Sequence, residues 1–288
     1  MKIKFFADYD RSVNLLKRVI ANYGADDDDL AFTTADDYDY AVVFNRTNEK
    51  LKGKAKIITV VQEPSFSDVH HNNPFLKYSD HLIVHDQALF ENLHRYKLSK
   101  HVIESPSLMF YQDPVDRSFF RNTEDQHKER KISMIVSSLR FEVGNYGKRL
   151  RLLRRILSSD LDIDIFGRGF SIQDDRYKGE LDYKLTGLLP YEYSIGIENS
   201  NEKNYVTEKF FDCSLCNTVP IYNGAPNIEE VYNEKYYRMI DLDAPDLVDQ
   251  IKEIIKHPAP KAGRDNNKLI YFTKYNLYTR LKEIILNE

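Results

Sequence analysis

The sequence predicts an α/β protein made of two parallel-sheet halves, and three observations carry that prediction. Short β-branched runs recur between polar turns, amphipathic segments with helical spacing separate them, and the alternation restarts after a polar stretch at residues 113–130. Alternation of this kind gives parallel sheets, because each parallel pair needs a crossover of about a dozen residues or more.

The first half opens with a strand, Lys2 to Ala7, followed by an amphipathic helix carrying Val13, Leu16, Val19 and Ile20. Brief apolar runs then come at Leu30 to Thr33, Tyr40 to Asn45, Ile57 to Glu63, His81 to His85 and Val102 to Ile103. They are the length of buried parallel strands. The acidic run Asp26 to Asp29 reads as a solvated loop, and the polar stretch Asp113 to Arg130 as the linker between halves.

The second half repeats the pattern: strand Ile132 to Ser137, helix Gly147 to Leu157, strands Ile163 to Phe166 and Tyr193 to Glu198, helix Thr207 to Leu215, strand Val219 to Tyr222. A strand at Arg238 to Leu242 and helices at Asp246 to Lys256 and Lys268 to Leu286 complete it. We therefore expect two domains, 1–122 and 123–288, each Rossmann-like and facing the other across a cleft, with the last helix able to pack back on the first. In such sheets ligands sit beyond the carboxyl ends of the strands, so the informative residues should follow strands.

Composition narrows the function. In 288 residues, 42% hydrophobic content is enough for a real core, and 41 basic against 45 acidic residues give a net charge of −4. No global positive field attracts nucleic acid or an anionic membrane, so any anion site must be built locally. Cys213 and Cys216 form C-x-x-C inside a helical pattern. Two thiols cannot staple a chain this long or close a four-ligand zinc site, and we read them as packing residues of a protein in a reducing, cytoplasmic compartment. No apolar run approaches the ~20 residues a spanning helix needs, and Asp8 comes too early for a signal-peptide core.

The chemistry concentrates between Tyr193 and Pro226. A strand runs into Glu198-Asn199-Ser200, a polar loop follows, and Thr207 is placed to cap a helix whose first turn holds Glu208 and Lys209. Free backbone N–H groups and the helix dipole favour anions there, and Lys209 adds a full positive charge suited to a phosphate. Glu208 can accept two hydroxyl hydrogen bonds, as from a ribose. A capped helix with a solvated lysine fits the same local pattern.

The run E-N-S, then Y-V-T-E-K, then V-P-I-Y-N-G-A-P resembles the donor-binding signature of the α-1,3-fucosyltransferase family, glycosyltransferase family 10, with Ile197 where that pattern has Phe. The resemblance implies a GT-B fold, an inverting transfer of L-fucose from GDP-fucose to a glycan hydroxyl, and no essential metal or other cofactor. It implies that Asn199, Tyr205, Glu208 and Lys209 bind the donor, Glu208 through the ribose and Lys209 through the diphosphate. Glu198 is either a donor contact or a buried structural carboxylate. With two halves filling the chain, no membrane anchor or stem such as Golgi members carry is expected.

A second cationic site precedes this segment. GKRLRLLRRIL puts Leu150, Leu153 and Leu157 on one helix face, with Leu152 and Ile156 beside them, and crowds Lys148, Arg149, Arg151, Arg154 and Arg155 on the rest. The family places a phosphate-binding Arg before such a helix. Arg149, at the helix start, matches it, with Arg151 as the alternative; a guanidinium there can hold a diphosphate bidentately.

The strand IITVVQEP ends near Glu63, and the family carries a strand-end Glu thought to act as general base. A carboxylate following a strand can take the proton of an attacking hydroxyl, although a Glu bonded to a neighbouring loop fits equally. Asp68, His70 and His71 in the next loop are candidates for the acceptor side. The four histidines 70, 71, 81 and 85 match no closed zinc spacing, and Asp162-Ile163-Asp164 lies along a strand, so we expect no metal site. A nucleotide-sugar or glycan-binding protein on the same scaffold, or a transferase for another nucleotide sugar, is the alternative.

Overall fold

The computed structural model describes residues 1–23, 29–94, 101–106, 119–120, 127–260 and 264–288. The chain forms two compact units. One comprises Met1–Phe119, Glu202–Tyr205 and Phe272–Glu288, the other Phe120–Asn201 and Val206–Tyr271.

The first unit holds a parallel sheet of β1 (Lys2–Phe6), β2 (Ala31–Phe32), β3 (Tyr40–Phe44), β4 (Lys56–Val60), β5 (His81–Val84) and β6 (His101–Glu104), in the order β2-β1-β3-β4-β5-β6. The direction of winding reverses at β1 and β3. Every residue of β3 is buried, as a central strand covered on both faces requires. Helix α1 (Ser12–Tyr23) turns a different face inward from the one expected: Leu15 and Val19 are buried, while Val13 and Ile20 are 51% and 40% exposed. Two apolar stripes overlap on this helix. The bond from Ser12 Oγ to the Phe5 carbonyl, 2.6 Å, fixes its rotation in favour of the other one. Short helices α2 (Phe75–Tyr78) and α3 (Gln87–His94) follow β4 and β5.

The second unit holds β7 (Arg130–Ile135), β8 (Asp164–Phe166), β9 (Tyr177–Gly179), β10 (Tyr191–Ile197), β11 (Val219–Asn223) and β12 (Arg238–Met239), all parallel, in the order β12-β11-β10-β7-β8-β9. This is the doubly wound Rossmann order, with its reversal between β7 and β10. Helices α4 (Tyr146–Leu157), α5 (Glu208–Leu215) and α6 (Leu247–Lys256) accompany it. Its core packs Leu152, Leu153 and Ile156 of α4 with Met134, Ile195 and Ile221 of the central strands.

Several expectations change. The short edge strand β9 has no apolar run to announce it. It is positioned beside Arg176, whose guanidinium donates to the carbonyls of Ile156, Leu157, Ser159 and Leu161 at the end of α4. The single helix expected over 268–286 is two, α7 (Arg264–Thr273) and α8 (Leu277–Leu286). Asn276 makes the break: its amide donates to the Phe272 carbonyl at 2.6 Å and its oxygen accepts from Thr279 N at 2.9 Å. Most of the linker at 113–130 and the run Asp26–Asp28 lie outside the described residues. The end of that linker is anchored, for Lys128 Nζ donates to the Leu189 and Cys216 carbonyls at 2.7 and 2.6 Å. Cys213 and Cys216 are buried and free, and burial pushes the Cys213 thiol up to about 12, which keeps it protonated. Asp164 pairs with Arg130 and accepts from Tyr191 Oη at 2.8 Å, a structural role. No described helix is long and apolar enough to cross a membrane.

One carboxylate stitches the first unit. Glu288 accepts from Tyr40 Oη (2.6 Å), Lys56 Nζ (2.5 Å) and His81 Nε2 (2.5 Å), the first residues of β3, β4 and β5. Burial opposes its charge, but these three donors prevail and hold the carboxyl at about 2, against an ordinary 4.5. A depressed carboxyl stabilises the fold above its unfolded value, and that contribution is lost as the pH falls from 4.5 towards 2. Glu288→Gln should therefore lower stability by about 1–3 kcal/mol at neutral pH and flatten the acid limb of the stability curve. Urea unfolding at stepped pH measures both; an unchanged acid limb would contradict this assignment.

Candidate functional site

The site grows from the end of β10. Glu198, the next residue, is fully buried, and its two oxygens accept from Thr207 N (2.7 Å) and Thr207 Oγ1 (2.6 Å). Thr207 in turn caps α5, accepting from Lys209 N at 3.4 Å. Burial raises the pKa of Glu198, while the Lys209 ammonium at 3.7 Å and the two Thr207 donors act against that rise. Both Glu198 oxygens face the cap.

Glu208 and Lys209 occupy the first turn of α5, with side chains 26% and 22% exposed. Lys209 Nζ lies 3.0 Å from Glu208 Oε1 and 3.2 Å from Thr207 Oγ1. A second cation backs them: Lys184 Nζ meets Asp212 Oδ2 at 2.5 Å and the Glu208 carbonyl at 3.4 Å. Burial works against the Glu208 charge, but Lys209 and Lys184 outweigh it and hold the carboxyl at about 2. Burial likewise opposes the Lys209 charge, and Glu208 and Glu198 overcome it, raising its pKa. Both groups therefore stay ionised at neutral pH, side by side at a helix start. That is a cation for a phosphate and an acceptor for hydroxyls.

The loop after β7 completes the arrangement at the sheet reversal. Asn145 precedes α4; its backbone N donates to the Asn199 carbonyl (2.9 Å) and its amide to the Glu198 carbonyl (3.2 Å) and Asn201 Oδ1 (2.6 Å). Arg149, in the first turn of α4, is only 7% exposed. Its Nη1 donates to Asn199 Oδ1 at 3.2 Å, and its guanidinium lies over the Tyr146 ring at 5.0 Å. Arg151 instead is 57% exposed and 4.0 Å from Asp243, which Lys148 also pairs. Of the two arginines, Arg149 is the one brought to Asn199.

In the first unit Glu63 is half-buried in the loop after β4. His70 is buried against Phe90 at 4.7 Å, and its Nε2 donates to the Glu63 carbonyl at 3.4 Å. Burial holds the His70 imidazole down at about 4, with that carbonyl bond working the other way, so it is neutral at physiological pH. His71 and Asp68 are exposed, and Asp68 pairs with Arg46 at 2.9 Å. Arg46 also holds Asp8 at 2.6 Å. Asp8 lines an open cavity of about 800 Å³ with Tyr9, Asp10, Arg11, Asn48 and Glu49, beyond the carboxyl ends of β1 and β3. That is the reversal point of this sheet, and the volume suits a small ligand. Tyr205, expected with the donor residues, belongs to the first unit, fully enclosed with its ring edge-on to His85 at 5.2 Å.

Two contributors to this second-unit site, Asn145 and Lys184, were not singled out from the sequence, and neither was Glu202 of the first unit, whose carboxylate accepts from Ser65 and His85. Asn145 had a legible signal, an asparagine directly before a helix. Lys184 sits in a turn with no pattern, and Glu202 reads as one more loop charge. Among the described residues no group of three His, Cys, Asp or Glu side chains is arranged to hold a metal ion.

The glycosyltransferase family 10 (fucosyltransferase) C-terminal model matches residues 125–260, which contain this whole second-unit site. An α-(1,3)-fucosyltransferase B of Drosophila melanogaster is 30% identical over 181 residues, covering 62% of this chain and 33% of that protein. The α-(1,3)-fucosyltransferase fut-5 of Caenorhabditis elegans is 33% identical over 103 residues, 34% of this chain and 24% of its own. The matched part thus spans a third or less of these relatives. Among solved structures, an α1,3-fucosyltransferase with GDP-fucose superposes with a TM-score of 0.55 at 16% identity, covering all of this chain and 89% of that one. An α-glucosyltransferase in complex with UDP-glucose and DNA containing an abasic site reaches 0.59 at 9% identity over 99% of both. Identities this low speak to fold alone, and the fold is the GT-B class of two Rossmann-like units. The donor signature folds around one sheet reversal, and the glycosyltransferase family 10 pattern runs through the same residues, 125–260.

Proposed function

We infer that the protein is an inverting glycosyltransferase that moves L-fucose from GDP-fucose to a hydroxyl of a glycan acceptor. The observation that carries this reading is the pairing of Arg149 with Asn199 at the β7/β10 reversal, where the family signature supplies Lys209 at a neighbouring helix start. Two cations and two helix N-termini suit a departing nucleoside diphosphate.

In this reading Lys209 and Arg149 bind the diphosphate, Glu208 takes the ribose hydroxyls, and Asn199 and Tyr205 complete the donor site, Tyr205 by shaping the loop. Residues 123–288 serve the donor and residues 1–122 the acceptor. The polar cavity at Asp8, with Asp68 at its Arg46 link and His71 near Asp68, is the acceptor candidate; buried His70 acts through the Glu63 backbone. Glu63 accepts the proton of the acceptor hydroxyl. That oxygen bonds to the anomeric carbon as the carbon–oxygen bond to the β-phosphate breaks on the opposite face, and GDP leaves with the electron pair. The cations neutralise that leaving group, so the chemistry asks for no metal. Buried free thiols fit a reducing, cytoplasmic setting.

Two variants separate the roles. Lys209→Ala should weaken GDP binding about 10–100-fold by calorimetry, the weight of one charge-assisted contact; an unchanged affinity would remove Lys209 from the site. Glu63→Gln should keep GDP affinity while GDP release from GDP-fucose falls by roughly 10²–10⁴-fold. Near-normal turnover would remove Glu63 from the role. Tight GDP binding by the unsubstituted protein with neither transfer nor hydrolysis would favour a nucleotide-sugar-binding protein instead.

A further inference from the structure

Glu202 lies inside the donor signature, yet the donor reading gives it no part. Its carboxylate, 13% exposed, accepts from Ser65 N at 3.1 and 3.2 Å, Ser65 Oγ at 2.8 Å and His85 Nε2 at 2.7 Å. Ser65 follows Glu63 by two residues, in a loop that belongs to no strand or helix. His85 is fully buried, edge-on to Phe90 at 4.9 Å, so it presents a fixed donor. The residues after Glu202 are equally committed to the first unit. Asn204 donates to the His85 carbonyl at 2.9 Å, and Lys203 pairs with Glu104 at 2.5 Å. The residues before Glu202 are committed to the second. Asn145 holds Asn201 Oδ1 at 2.6 Å and the Asn199 carbonyl at 2.9 Å, and Asn199 in turn receives Arg149. One peptide bond, Asn201–Glu202, therefore joins the backbone that carries the donor residues to the carboxylate that holds the loop of Glu63.

We propose that Glu202 is a positioning residue: its carboxylate fixes the Glu63–Ser65 loop, and through the Asn201–Glu202 peptide bond it makes the order of that loop depend on the donor site. A carboxylate with a backbone N–H, a hydroxyl and an imidazole on it resists rotation, because moving it abandons all three partners at once. A diphosphate held by Arg149 steadies Asn199 and the chain up to Asn201. Glu202 then has less freedom to leave Ser65, so the base is ordered when the donor is present. The proposal rests on the donor-binding and general-base readings above.

Hydrogen exchange over residues 62–67 tests it, on the full chain with and without GDP, for the unsubstituted protein and Glu202→Gln, with GDP affinity measured alongside. GDP should slow exchange of this segment about fivefold, the factor one net hydrogen bond supplies. In Glu202→Gln that GDP effect should vanish while GDP affinity stays within about threefold, as expected of a side chain that does not touch the donor. A purely structural Glu202 would lower thermal stability but leave the GDP effect in place, which would overturn the proposal. So would GDP binding that leaves the segment unchanged in the unsubstituted protein. Failure to bind GDP at all would overturn the donor reading and the proposal together. Should Glu202→Gln not fold, Ser65→Ala decides: a reduced GDP effect supports the proposal and a full one overturns it.

Discussion

The buried carboxylate of Glu198 is the constraint from which the site follows. A charged group with no exposed surface is costly unless its oxygens are satisfied, and here both are spent on Thr207, through its backbone N–H and its hydroxyl. That pairing ties the end of β10 to the start of α5, nine residues later, and sets where Lys209 and Glu208 point. The close fit also explains the glycine of the signature. A Cβ on Gly224 would lie 2.5 Å from Glu198 Cγ and 2.3 Å from Tyr222 Oη, both in fully buried side chains.

The same local arrangement reconciles an acidic chain with the diphosphate site proposed for it. The net charge of −4 describes the surface at large and not the β7/β10 reversal. There the doubly wound order brings two helix starts and two cations to adjacent loops, each cation held by a short-range partner. Asn199 holds Arg149, and Glu208 and Thr207 hold Lys209. Preorganised charge of this kind does its work without reorganising at the moment of reaction. The electrostatics of the site are therefore a property of topology as much as of composition.

Much of this was legible in the sequence, for identifiable reasons. Buried parallel strands announce themselves by β-branched runs, and β1, β3, β4, β5, β7, β10 and β11 fall where those runs do. Thr207 was readable as a cap because threonine before an acidic first turn is a chemical signal. What was not legible depends on partners distant in sequence. The inward face of α1 was settled by a bond from Ser12 to Phe5, the break before α8 by two bonds of Asn276, and β9 has too few apolar residues to register. Tyr205 read as continuous with the donor motif and Glu202 as a loop charge, but the four-residue segment they bound packs with the first unit. Spacing within a motif says nothing about which body a loop joins.

The proposed function depends on the second unit binding a guanosine diphosphate at the β7/β10 reversal. A thermal-shift panel of GDP, UDP, ADP and CMP with their sugars tests it most directly, since a ligand at about a hundred times its dissociation constant adds roughly 2.7 kcal/mol of stability. The midpoint should rise clearly with GDP and GDP-fucose, and not with the other nucleotides at the same concentration. A flat response to GDP, or a larger rise with UDP, would contradict it.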